Sequence, residues 1–208
     1  MGSSRRSRDR RPARRAATRD PRRRLLVVCE GEVTEPTYIR GYEKLVRNAS
    51  VQIKVEGAGG VPLTLVRTAV RLKEEAEGEA RRSDDPFAAY DEVWCVFDVD
   101  DHPNIPDAKQ LAASNGIELA ISNPCFELWL ILHFRDSPGA RHRNELRGII
   151  RGFIPDYDKH FRFEVLAGGV AEAEARARRM EQDARDMGDA IGRNPSSFVH
   201  RLNESIRR

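Results

Sequence analysis

Much of what would place this chain in a membrane, a secretory pathway or a familiar enzyme class is missing from it. Its 208 residues include three cysteines, Cys29, Cys95 and Cys125. They form no C-x-x-C pair and each sits among apolar neighbours, so they read as reduced core thiols of a cytosolic protein. No apolar run approaches the roughly 20 residues of a membrane span, the longest lying around residues 128–132. The Arg-rich beginning lacks the apolar segment of a secretory signal. There is no P-loop, no H-E-x-x-H and no Ser/His/Asp spacing, and Gly57, Gly59 and Gly60 do not form G-x-G-x-x-G. These absences argue against a dinucleotide site, a zinc peptidase and a serine hydrolase.

Acids are almost missing from the first 24 residues, which hold eleven arginines against Asp9 and Asp20, a net of +9. The other 184 residues carry 25 basic and 31 acidic side chains, a net of −6 hidden beneath the overall +3. An acidic body with a basic tail is expected. With Pro12, Pro21 and little apolar content, residues 1–24 cannot bury enough surface to offset ordering entropy, and the tail reads as disordered. Its arginines, Arg14, Arg15, Arg22, Arg23 and Arg24 among them, would give sequence-independent attraction to nucleic acid phosphates. A merely solubilising extension is the alternative.

From residue 25 the pattern becomes an α/β alternation. Strands are expected at residues 25–29 (LLVVC), 51–55, 92–97 (EVWCVF) and 117–121. Helices are expected over 34–48 with Thr34 as N-cap, over 62–82, over 107–115, and from Asn123 and Pro124 to about residue 134. The order β-α-β-α-β-α-β-α predicts a Rossmann-like, mainly parallel sheet flanked by helices. Residues 25–143 form this core, and residues 144–208 a helical C-terminal extension packed on it, with helices over 145–153, 171–187 and 196–206. The second of these, rich in Ala, Arg and Glu, is either a solvated helix or one facing a partner.

In such a sheet, sites form outside the carboxyl ends of the strands. Strand one delivers Glu30 there, followed by Glu32 and Glu35. Strand three delivers Asp98, with Asp100 and Asp101, and strand four Ser122 and Asn123, with Glu127 just beyond. Asp98 and Asp100 are two apart and point to the same side while the backbone stays extended. Crowded carboxylates raise one another's pKa unless a divalent cation neutralises them. An oxygen-only set of Glu30, Asp98, Asp100 and Asp101 suits Mg²⁺ or Mn²⁺ and not zinc. A solvated acidic turn is the competing reading. Glu127, alone among apolar residues, either reaches this site or bonds locally. His102 is a loop histidine within reach of a phosphate or water; His133 reads as a core histidine.

Three blocks, VVCEGEVTEPTYIRGY (residues 27–42), VWCVFDVDDH (93–102) and ISNPCFELWLILHF (121–134), closely resemble the RloB-like abortive-infection proteins of prokaryotes. Those are similar in turn to the Toprim fold of topoisomerases, primases and overcoming-lysogenization-defect nucleases. The resemblance spans roughly residues 24–160. It implies a general acid/base role for Glu30 and metal binding by Asp98 and Asp100, and it makes Glu127 a motif residue of unassigned role. Glu35 matches only loosely, standing five rather than four residues after Glu30. The implied activity is cleavage of RNA or DNA with Mg²⁺ or Mn²⁺ in antiphage defence, with other defence-system proteins or a second copy of the chain as further partners. A non-catalytic sensor or adaptor binding a metal or nucleotide at the same site is the alternative. A haloacid-dehalogenase-type phosphatase with Asp98 as nucleophile is disfavoured, because its D-x-D usually ends the first strand.

Overall fold

The run LLVVC supplies the centre of the fold. A computed structural model describes residues 22–99, 102, 104–190 and 192–208, and in it this run belongs to β1 (Arg23–Cys29), whose residues from Leu25 on are fully buried. Because successive side chains of a strand point to opposite faces, Leu25, Val27 and Cys29 enter one apolar cluster, while Leu26 and Val28 enter another. β3 (Glu92–Asp98) is divided in the same way, Trp94 and Val96 against Val93, Cys95 and Phe97. A strand apolar on both faces needs cover on both, and the chain provides it.

The remaining elements are α1 (Thr34–Val46), β2 (Val51–Gly57), α2 (Pro62–Ser83), a 3₁₀ turn at Pro86–Ala88, α3 (Ile105–Ser114), β4 (Glu118–Asn123), α4 (Glu127–Leu132), α5 (Arg143–Arg151), α6 (Glu164–Ala167), α7 (Val170–Asp186), β5 (Ser196–Ser197) and α8 (Val199–Arg207). The sheet order is β2-β1-β3-β4-β5. β2, β1, β3 and β4 are parallel, and β5 runs antiparallel to β4 through Ser122↔Ser197 and Asn123↔Ser196. The result is a mainly parallel, Rossmann-like α/β fold. Leu65, Val66 and Ala69 of α2, with Ala108 and Ala112 of α3, cover one face. Side chains of α1, α4, α5, α7 and α8 cover the other. No described helix is long and apolar enough to cross a membrane.

Several boundaries differ from the expectation. β1 starts at Arg23, so Arg23 and Arg24 belong to the sheet and not to a disordered tail. Both have partners that hold them extended: Arg23 meets Glu92 and the Ser205 carbonyl, and the Arg24 guanidinium bonds the Ala88 and Phe87 carbonyls and lies over the Tyr90 ring. The N-cap of α1 is Val33, while the Thr34 hydroxyl donates to the Lys159 carbonyl at 2.9 Å. Asn123 ends β4 instead of opening a helix, and α4 begins only at Glu127. Residues 196–206 are split, since Ser196 and Ser197 pair with β4 and the Phe198 N–H donates to the Ile121 carbonyl before α8 starts. The chain after residue 143 completes one face of the fold, with Leu146, Ile150, Ala173, Val199 and Leu202 inside the same cluster as β1. α7 buries Ala173 and Ala177 on that face, and Glu181, one turn further along it, pairs with Arg185 and with His200 and Arg201 of α8.

Candidate functional site

From β1 the chain crosses to β2 on one side and later to β3 on the other, so the strand order reverses between β1 and β3. Where the order reverses, the connections diverge and leave a crevice at the carboxyl ends. Of the two strands flanking that crevice, β1 is followed directly by Glu30 and β3 ends in Asp98. They are joined directly: the Glu30 N–H donates to the Val96 carbonyl at 2.9 Å, and Glu30 Oε2 accepts the Asp98 backbone N–H at 3.1 Å. The other oxygen, Oε1, accepts from the His102 ring at 3.2 Å. Both carboxylate oxygens of Glu30 are therefore held in place.

The crevice opens into a cleft of about 350 Å³ lined by Glu30, Glu35, Asp98 and Glu127 and also by Arg143, Arg147 and Lys159. Glu35 stands in the first turn of α1 with 6% of its surface exposed. Burial pushes its carboxyl above the usual range, and the charges of Glu127 and Glu30 push the same way. Gly31 makes this placement feasible, because a Cβ there would overlap the Glu35 carboxylate. Glu127, at the start of α4, does both things the sequence left open. It lines the cleft, and its Oε1 accepts from Arg147 Nε and from the Tyr157 hydroxyl, each at 3.4 Å. Burial and the neighbouring Glu127 charge raise the Tyr157 hydroxyl.

The other expected residues divide clearly. His102 reaches the site through Glu30. Asn123 does not line the cleft; its amide donates to the Gly192 carbonyl at 2.9 Å and ties the end of β4 to the segment before β5. Arg23 and Arg24 lie at the amino end of β1, about 20 Å along the strand from Glu30, and their guanidinium groups are engaged there. Arg22 is exposed beside them. Arg14, Arg15, Asp100 and Asp101 lie outside the described residues.

Among the described residues, no three His, Cys, Asp or Glu side chains form a metal-holding group. The chemistry of the cleft nonetheless fits a hard divalent cation. Its acids offer only oxygen donors, and burial, with the charges of Glu127 and Glu30 behind it, already disfavours ionisation of Glu35. The cations of the cleft are not among the expectations from sequence, although Arg143, Arg147 and Arg151 recur every four residues in an expected helix, a spacing that puts them on one face.

Among known families, one described as RloB-like protein matches residues 25–206. No curated protein and no solved structure matches the chain.

Proposed function

Since the chain belongs to the RloB-like protein family, we propose that it is a divalent-metal-dependent nuclease that hydrolyses phosphodiester bonds in RNA or DNA as part of antiphage defence. The observation that carries this reading is the linked pair of strand-end carboxylates, Glu30 and Asp98, at the point where the strand order reverses. The resemblance to Toprim proteins assigns chemistry to the same two positions.

Glu30 and Asp98 would hold Mg²⁺ or Mn²⁺, with Asp100 and Asp101 as further oxygen ligands next along the chain. A bound divalent cation supplies charge neutralisation at the phosphate and lowers the pKa of water. The chain's own residues supply the rest. Glu30, fixed by the Asp98 N–H and by His102, is oriented to take a proton from the attacking water. His102 keeps the Glu30 carboxylate from rotating away. Burial and neighbouring acids raise the Glu35 carboxyl, and a cation bound beside it would favour its ionised form.

The test is cleavage of total RNA and of plasmid DNA by wild type, Glu30→Gln and Asp98→Asn, each with Mg²⁺ or Mn²⁺. Wild type should cut one of the two substrates, and each variant should lose at least about a hundredfold in rate while keeping the wild-type melting temperature. A wild-type protein that cuts neither, in the presence of phage extract as well as without it, would remove the nuclease reading.

A further inference from the structure

The cleft is lined by cations as well as acids. Arg143 and Arg147 begin a row that continues past the cleft, on a body that is otherwise net acidic. Arg143, Arg147 and Arg151 occur at i, i+4 and i+8 of α5. At 1.5 Å per residue the row runs about 12 Å, with a guanidinium about every 6 Å. Arg143 and Arg147 line the acidic cleft, while Arg147 and Arg151 line a second hollow of about 220 Å³ together with Tyr157 and Lys159. Arg147 and Lys159 line both, so cleft and hollow adjoin.

Arg147, Arg151 and Lys159 are positioned by the protein. Arg147 donates through Nε to Glu127 at 3.4 Å, and Arg151 through Nε to the Tyr157 carbonyl at 3.1 Å. Lys159 adopts φ = 84°, in the left-handed region that residues with a Cβ rarely enter, and its carbonyl is clasped by the Thr34 hydroxyl at the start of α1. A strained backbone persists where the surroundings enforce it, and here the clasp fixes the backbone of an exposed lysine that lines the carboxylate cleft. Among the described residues neither Arg151 nor Lys159 has an acidic side-chain partner. The nearby Asp158 carboxylate is taken up by the His160 backbone N–H and ring, at 3.1 and 3.0 Å.

We propose that the α5 arginine row and Lys159 form the seat for one phosphodiester strand, leading it along α5 into the carboxylate cleft. The proposal rests on the nuclease reading for the direction of travel, since it makes Glu30 and Asp98 the end of the path. It adds which surface carries the strand. Guanidinium groups match phosphate oxygens in bidentate geometry, and a single row on one helix suits a single strand. An acidic peptide would meet the same cations, but it lacks the tetrahedral, evenly repeated anions that a row of forks selects.

The experiment measures binding without cleavage. Full-length wild type, Arg151→Gln/Lys159→Gln and Arg151→Lys are titrated in EDTA against fluorescent single-stranded RNA and DNA oligonucleotides over a salt series. Arg81→Gln/Arg82→Gln, at the far end of α2, is the charge-matched control. Loss of two phosphate contacts should flatten the plot of log K against log salt by about 1.4 and lower affinity about tenfold near physiological salt. Arg151→Lys, which keeps the charge, should keep the slope. Both altered side chains of the double variant are exposed, and unchanged urea midpoints confirm the fold. An unchanged slope and affinity in the double variant would overturn the proposal. So would an equal change in the α2 control, or competition by polyglutamate as strong as that by unlabelled oligonucleotide. A flattened slope in a protein that never cuts would leave the seat standing and remove only the nuclease reading. Cleavage with an unaltered slope would do the reverse.

Discussion

Glu127 gives the sharpest test of how the cleft is built. Its side chain is 6% exposed and that of Arg147 32%, with Nε 3.4 Å from Oε1. Removing one partner of a buried pair leaves an uncompensated charge, which costs about 3–5 kcal/mol when both are fully buried. Here Arg147 is a third exposed, and 3.4 Å is longer than the roughly 2.7–2.9 Å of a strong charge-assisted bond. The cost of Arg147→Met should therefore be lower, about 2 kcal/mol. At this chain length that corresponds to a melting temperature lower by about 4–8 °C. Glu127→Gln, which keeps an acceptor for Tyr157 and removes the charge, should cost about 1 kcal/mol. The double variant should be less destabilised than the sum of the singles by about 1–2 kcal/mol, because each change removes the reason for the other residue's cost. Urea unfolding of the four proteins at pH 7.5 measures this cycle. Strict additivity, or an Arg147→Met protein within about 0.5 kcal/mol of wild type, would show that the pair does not carry the buried carboxylate.

Three further outcomes are expected. Gly169→Ala should destabilise by about 2–3 kcal/mol, since a Cβ there falls on the His133 carbonyl, whereas Gly148→Ala meets nothing within 4 Å and should stabilise α5 by about 0.5–1 kcal/mol; chemical denaturation that ranks the two alike would contradict the packing. Burial pulls His133 from its ordinary 6.5 to about 4, so the unfolded chain binds the extra proton between those values. Stability conferred by the neutral ring is complete above pH 6.5 and is lost as pH falls toward 4, about 3 kcal/mol in all; parallel stability-versus-pH curves for wild type and His133→Leu would refute this. Burial also raises the thiols of Cys29 and Cys125 and pushes Cys95 up to about 12. The native protein should therefore resist a thiol reagent at about pH 8 and react only on unfolding, and rapid labelling of the folded chain would overturn the placement.

Patterns local to a strand or a helix were readable from residues alone. LLVVC and EVWCVF announced strands buried on both faces, and the acids after them announced the edge where a site would lie. The order of the strands was not readable in the same way. Nothing in residues 51–57 states that β2 takes the outer side of β1, yet that choice puts Glu30 next to Asp98. Elements that depend on distant partners were also invisible. Ser196 and Ser197 have no apolar pattern and become a strand only because the end of β4 offers unpaired groups. Arg23 and Arg24 look like more of a basic tail until Glu92, Phe87 and Ala88 are beside them. Arg147 and Lys159 joined the site through folding, as the chain between α4 and α6 returned across the cleft.

The wide separation of the cleft's acids and cations along the chain has a consequence during synthesis. A chain emerging amino end first has made every carboxylate of the cleft by Glu127, before Arg143, Arg147 and Lys159 exist. At that stage its acids repel one another without the cations that share the cleft, and the free edge of β4 has no β5 to cover it. Domains form as units once their sequence is available, and an open strand edge invites pairing with another chain. Chains cut short before residue 143 should therefore aggregate through β4 instead of forming half a site. Only a chain that has reached β5 brings acid, base and covered sheet edge together.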